Sequence, residues 1–531
     1  MVDETSSARL ADKEDAMSDG STGPTARPLA GPGDILGWAA ARHPDKTALI
    51  TATRELSYGE LDDLSARAAA GLRDRGVRPG QVVSLYGPNS WQWVVAYHAV
   101  LRAGAVVNPI NVMLTPPEVA YVLTDCRSAG VLTSAAQLPT LRELTATLPE
   151  VGFVLGLDAD GGDGFATLFT SKPLDDPGPV EPTALSTIGY TSGTTGHPKG
   201  AMQSQQAVLL NCALTATMHG RTAADVVVTA LPAPHVYGNV AINGTILAGG
   251  TVVLMERFAA DDALALIARH HATMFEGVPA MYAMLLSSPA LADADLSSLR
   301  VCTVGGQTIS TATIEAWQRR SGAPLLELWG MTEIAGLGTT HAVYAPAVPG
   351  SIGVALPGID VRVADLADVT RDAPPGTPGE LMVRGPIVMM GYYNNPAETA
   401  TTIEPDGWLH TGDIAYADDT GHFFVVDRRK DLIITAGYNV YPAEIERVLS
   451  AHPAVAMVAI GPVPDATKGE LACAYVVLRD GQQATADELI EFTRDQLAAY
   501  KRPRQVIFVS SLPATSTGKI MRRKLAEAAR S

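Results

Sequence analysis

Residues 190–200 read YTSGTTGHPKG, dense in glycine and hydroxyl side chains and closing just past a lysine. Gly193, Gly196 and Gly200 let the backbone bend and aim N–H groups at an anion. Thr191, Ser192, Thr194 and Thr195 add hydroxyl donors, and Lys199 adds a mobile positive charge. That chemistry suits phosphate, although a flexible surface loop has a similar composition. A Walker loop is excluded, because Lys199 follows Pro198 and Gly200 stands where a magnesium-binding hydroxyl belongs. No GxGxxG fingerprint occupies a strand-turn-helix context. HExxH and GxSxG are absent, so zinc and serine hydrolases lose their local signatures.

The elements around the loop alternate. DILGWAAARHPDKTALI reads as an amphipathic helix running into a strand, and helix–turn–strand text recurs through residue 133. The pattern resumes with apolar strands at 225–230, 250–255 and 272–276, which predicts α/β sheets layered by helices. The stretch 91–114 is interrupted by His98, Arg102 and Pro109, so it reads as a buried helix and a strand rather than a membrane span. Short Gly- and Pro-cut strands over 351–426 predict a small β-barrel-like subdomain. Beyond the charged run 427–431, mixed text predicts a separate α+β domain. It reads as strand 432–435, helix 442–451, strands 454–460 and 473–478, helix 487–500 and strand 505–508. Residues 1–30 read as a flexible polar tail without a signal peptide. The resulting division is 1–30, 31–426, 427–430 and 431–531. From composition alone a solvated turn is the favoured reading of the charged run.

A chain of 531 residues exceeds one core. Its 47% hydrophobic and 18% charged content is that of an ordinary globular enzyme. A net charge of −17 argues against broad nucleic-acid or anionic-membrane binding, but leaves room for a small anion at a local basic cluster. Four widely spaced cysteines suggest neither a zinc knuckle nor a disulfide framework, and fit a reducing cytoplasm.

Five further strings share the loop's density of chemistry: LPAPHVYG (231–238), ELWGMTE (327–333), HTGD (410–413), DRRKDLIITAGYNVYPAEIE (427–446) and PATSTGKIMRR (513–523). Together with YTSGTTGHPKG, in this order over roughly 31–531, they resemble the adenylate-forming superfamily of acyl-CoA synthetases, peptide-synthetase adenylation domains and luciferases. The resemblance implies a two-step ligase. A carboxylate attacks the α-phosphate of ATP, giving an acyl-adenylate and pyrophosphate; a thiol, usually that of CoA, then displaces AMP. Such chemistry needs charge neutralisation and alignment above all.

The roles that follow are implied by the resemblance, residue by residue. Glu333 is the magnesium ligand and Thr332 the α-phosphate contact. Trp329 and Gly330 lie beside the adenine or the acyl head, with a plain core role open for the tryptophan. Glu327, Gly305 and Gly306 border the adenine. Asp413 and Arg428 hold the ribose. Lys519 is the adenylation lysine, brought in from the far domain by closure about a hinge at Lys430. Gly437 and Tyr438 line the thiol's path. Lys501, Arg502, Arg504, Arg522, Arg523 and Lys524 meet CoA phosphates or form a solvated basic face.

His235 gates the acyl pocket or serves a structural role, and Val236, Tyr237, Gly238 and Met331 shape the pocket. Peptide-synthetase domains for α-amino acids carry an aspartate in this motif to pair the substrate ammonium; Val236 leaves that charge unpaired. A fatty, alicyclic or aromatic acid fits better. GGQTIS (305–310) departs from the family's Gly-Gly-Ala-Pro and makes the pocket's polarity an open question, with Ser310 expected to cap the next helix. The implied partners are a carboxylic acid, ATP, Mg²⁺ and CoA, in a cytoplasmic monomer or homodimer. An enzyme loading a carrier protein in trans and a non-catalytic AMP or acyl binder are the alternatives. Retention of Lys199, Glu333, Asp413, Arg428 and Lys519 together argues against the last.

Overall fold

The computed structural model describes residues 29–170, 172–174, 178, 180–191, 198–428, 431–435, 438–465, 467–513 and 520–525. Two sheets, of nine and six strands among these residues, organise the large N-terminal part. Their central strands are parallel and apolar: Val226–Thr229, Thr251–Leu254, Met274–Gly277 and Val301–Val304 in one, and Val82–Tyr86 and Gly130–Thr133 in the other. Strands covered on both faces read as continuous hydrophobic runs, which these are.

The helices between the sheets follow the same logic. Trp91–Arg102 is buried without a break from Trp93 through Leu101. Val236–Leu247 buries residues all round its axis. One continuous core joins them to both sheets, through Trp93, Tyr97, Val240, Ile242, Val83 and Val252. The strands that flank the Gly/Thr string belong to the six-stranded sheet, and the strand that leads into Thr332 belongs to the nine-stranded one.

The barrel-like part is a four-stranded antiparallel sheet of Asp360–Ala364, Gly379–Arg384, Leu409–Ala417 and Phe423–Arg428. Asp427 and Arg428 therefore belong to its last strand, not to a linker; Lys430 lies outside the described residues. A smaller sheet follows, built on the long pair Val455–Asp465 and Gly469–Leu478, with the helix Pro442–Ser450 packed beside it. The helix expected over 487–500 is shorter, Ala486–Phe492. Thr493 ends it: its hydroxyl turns back onto the Ile490 carbonyl at 2.7 Å, and the chain continues in tighter turns.

Candidate active site

The strand Leu325–Met331 carries ELWGMTE into a hairpin with Gly336–Thr340. A bulge between Trp329 and Gly330 re-aims the chain at this point. Gly330 permits it: a Cβ there would sit on the Gly336 carbonyl oxygen. The turn Thr332–Ile334 follows, closed by Ala335 in the left-handed region at φ 58°.

Thr332 packs on the strand Leu185–Thr191, so closely that a Cβ on Gly189 would lie 2.6 Å from its methyl group. Gln203 Nε2 donates to the Thr332 carbonyl at 2.9 Å. Thr191 pairs across the sheet with Lys199, at the two edges of the Gly/Thr loop. Ser192, Gly193, Thr194 and Thr195 lie outside the described residues. Lys199 is ion-paired with Glu398 and lies over the Tyr392 ring at 5.6 Å. Tyr392 in turn donates its hydroxyl proton to Glu333 Oε1 at 2.9 Å.

Glu333 is buried, and burial pushes its carboxyl above the usual range. Among the described residues no cluster of three acidic, histidine or cysteine side chains forms a metal cage. One hard carboxylate with a raised affinity for positive charge fits Mg²⁺, which is commonly held by one or two carboxylates plus substrate phosphates.

On the other side of the strand, Trp329 Nε1 donates to Asp413 Oδ2 at 2.8 Å. Arg428 Nε pairs with Asp413 Oδ1 at 2.9 Å, the two residues being direct cross-strand partners. This places the indole N–H on the Asp413 side. The carboxylate keeps lone pairs for two further hydroxyl donors. Glu327 Oε2 accepts from Gly350 N at 2.7 Å, and burial raises its carboxyl to about 7. Gly305 packs on the Leu328 side chain, and Gly306 turns at φ 85°.

His235 caps the helix Val236–Leu247, its Nδ1 accepting from Tyr237 N at 3.3 Å. With Val236 it lines a cavity of about 860 Å³ that reaches Thr332 at one end. Three residues expected to shape this pocket do not line it. Tyr237 points around the helix into the core, its hydroxyl 2.7 Å from Thr303 Oγ1. Gly238 is pressed against the Pro232 backbone, where a Cβ would strike the carbonyl. Met331 packs on the main core from its strand.

Lys519 and Gly437 lie outside the described residues. Tyr438 is exposed, its ring 4.8 Å from that of Tyr500. The C-terminal cations have internal partners: Lys501 pairs with Glu444, Arg522 with Glu446, and Arg502 and Arg504 donate to backbone carbonyls. These contacts tie the four side chains to their own domain. Ser310 caps Thr311–Ser321 through Thr313 N.

Sequence reasoning missed Tyr392, Glu398 and Gln203. GYYNNPAET (391–399) reads as an Asn-Pro turn, and nothing local shows that it folds onto Glu333, 59 residues earlier.

Family models match twice along the chain: an AMP-binding enzyme over residues 36–393, and an AMP-binding enzyme C-terminal domain over 444–519. The chain is 34% identical to a long-chain-fatty-acid–CoA ligase of Bacillus subtilis (strain 168), covering 93% of both chains. It is 36% identical to a feruloyl-CoA synthase of an Amycolatopsis species, over 91% of this chain and 96% of the relative. Its fold superposes on ATP-bound MatB from Rhodopseudomonas palustris with a TM-score of 0.88, at 33% identity over 94% and 99% of the two chains. Two matched domains and full-length relatives above 30% identity make this chain a member of the AMP-binding enzyme family, an acid–thiol ligase of the acyl-CoA synthetase type.

Proposed function

We propose that the chain joins CoA to an uncharged-bodied carboxylic acid, fatty, alicyclic or aromatic, through an acyl-adenylate. The cavity carries this reading. It reaches Thr332 and His235, and its charged wall residues, Asp158, Glu256 and Arg257, are all exposed. Among the described residues no buried carboxylate on its wall awaits a substrate ammonium, and about 860 Å³ is a full-sized ligand site. The relatives named for fatty and aromatic acids agree with that chemistry.

In this reading Asp413 and Arg428 hold the ribose, with Trp329 fixing the carboxylate's orientation. Glu327 and the Gly305–Gly306 turn border the adenine. Thr332 and the Gly/Thr loop meet the phosphates, and Glu333 holds Mg²⁺. The metal, when bound, neutralises phosphate charge. Lys199 is released from Glu398 as phosphate oxygens compete for it. Lys519 aligns the carboxylate with the α-phosphate; a carboxylate oxygen bonds to phosphorus as the bond to pyrophosphate breaks. The C-terminal domain then turns about Lys430 and brings the 435–439 stretch, with Gly437 and Tyr438, to the cleft. The CoA sulfur attacks the acyl carbon and AMP leaves. Four cysteines that are buried and unpaired support a reducing, cytoplasmic setting. No helix among the described residues is long and apolar enough to cross a membrane.

The test is pyrophosphate release and CoA-ester mass across short, medium and long fatty acids and aryl acids. Turnover confined to α-amino acids, or transfer only to a carrier protein, would sink the reading.

A further inference from the structure

The helix Val236–Leu247 contributes Val236 and Asn239 to the wall of the cavity that Thr332 also lines. Asn239 lies one turn past His235, its N–H bonded to the His235 carbonyl at 2.8 Å, and it lines the cavity. Tyr97 comes to the same wall from the neighbouring helix Trp91–Arg102. It is 1% exposed and stacked on Trp93 at 5.6 Å. Its hydroxyl donates to Asn239 Oδ1 at 3.5 Å, the outer limit of a hydrogen bond. Asn239 Nδ2 has no partner among the described residues.

The polarity runs deeper than one pair. Asn243 follows Asn239 by one turn and donates to the Asn239 carbonyl at 3.1 Å. Its side chain faces the ring of the fully buried His98 next to Tyr97, without a hydrogen bond of good geometry between them. Two helices inside an apolar core have no packing need for such groups, and an unsatisfied buried amide is unfavourable. Of these groups Asn239 and Tyr97 face the cavity, where a ligand can satisfy them.

We propose that Asn239 and Tyr97 form a specificity pair that reads an oxygen acceptor on the acyl group. The acid would carry a ketone, hydroxyl or phenol oxygen about one helical turn, ~5 Å, beyond the carboxylate end near His235. The oxygen accepts from Asn239 Nδ2 and from the Tyr97 hydroxyl once it swings off Asn239. This rests on the cavity being the acyl site. In the first half-reaction the acid is read without the thiol, so the contact acts at adenylation.

The experiment compares acids of one carbon skeleton whose added oxygen lies about one helical turn from the carboxyl carbon, pentanoic acid against 4-oxopentanoic acid and benzoic acid against 3-hydroxybenzoic acid. Pyrophosphate release is measured without CoA. The native chain is expected to favour the oxygenated member of at least one pair by about tenfold or more in kcat/KM. Asn239→Leu and Tyr97→Phe should each collapse that ratio toward one. Tyr97→Phe keeps the stack on Trp93, so it carries the test if Asn239→Leu misfolds. Equal kcat/KM within both pairs would overturn the proposal. So would variants that leave the ratio intact and raise only the KM for CoA in the full reaction, which would assign the pair to the thiol's arm. Absence of pyrophosphate with every acid would instead overturn the ligase reading beneath it.

Discussion

Asp413 engages both carboxylate oxygens with protein donors, Trp329 on one and Arg428 on the other. Its two substitutions should therefore separate. Asp413→Asn keeps one acceptor for the indole N–H but turns an amide N–H toward Arg428, and should weaken ATP binding about tenfold or more with a smaller fall in thermal midpoint than Asp413→Ala. Asp413→Ala also strands the buried indole N–H, a loss of about 1–3 kcal/mol, and the midpoint should fall. Equal midpoints for the two would refute the contact's structural share. Glu327 makes a pH prediction. Burial lifts its carboxyl from the ordinary 4.5 to about 7, so the folded chain binds this proton more tightly than the unfolded one. Its contribution to stability is full below pH ~4.5 and is lost as pH rises through about 7. Glu327→Gln should flatten the dependence of thermal midpoint on pH across that window; a slope unchanged from the native chain would show that Glu327 is not its source.

At the scale of elements, the hairpin of Leu325–Met331 with Gly336–Thr340 sets the proposed site, because its bulge turns Trp329 toward Asp413 and the chain beyond it seats Thr332 against Gly189. Gly330→Ala would drive a methyl group into the Gly336 carbonyl. Overpacking of this kind costs about 1–3 kcal/mol, read by chemical denaturation, and should reduce adenylation as well. Native-like stability would mean that the hairpin relaxes cheaply. The helix from Val236 shows how far periodicity reaches. HVYG could be placed at a pocket from its residue types, but a helix turns about 100° per residue. Val236 thus meets the cavity, while Tyr237 meets Thr303 and Gly238 meets Pro232. Which face is inward depends on what the helix packs against, and that is not local information.

The whole molecule brings together residues more than a hundred positions apart, and we expect it to do so twice in each turnover. Lys519→Ala should abolish pyrophosphate release yet spare thioester formation from a supplied acyl-adenylate. Lys430→Pro, which would stiffen the hinge proposed there, should show the opposite pattern. Equal loss of both half-reactions in either variant would refute a division of labour between the two domain positions. The sequence by itself determined the reaction class. The loop, the WGMTE, HTGD and lysine strings are short, and their chemistry depends on residue types at fixed local spacing. It also determined the alternation of strands and helices, since burial on one or both faces writes itself into hydrophobic period. Only the tertiary structure decided the partners of those residues. Trp329 on Asp413, Tyr392 on Glu333, Glu398 on Lys199 and Tyr97 on Asn239 join segments 59 to 199 residues apart. Such pairs are set by sheet order and helix packing. No local spacing encodes them, because the chain distance between two partners says nothing about the register in which their elements meet.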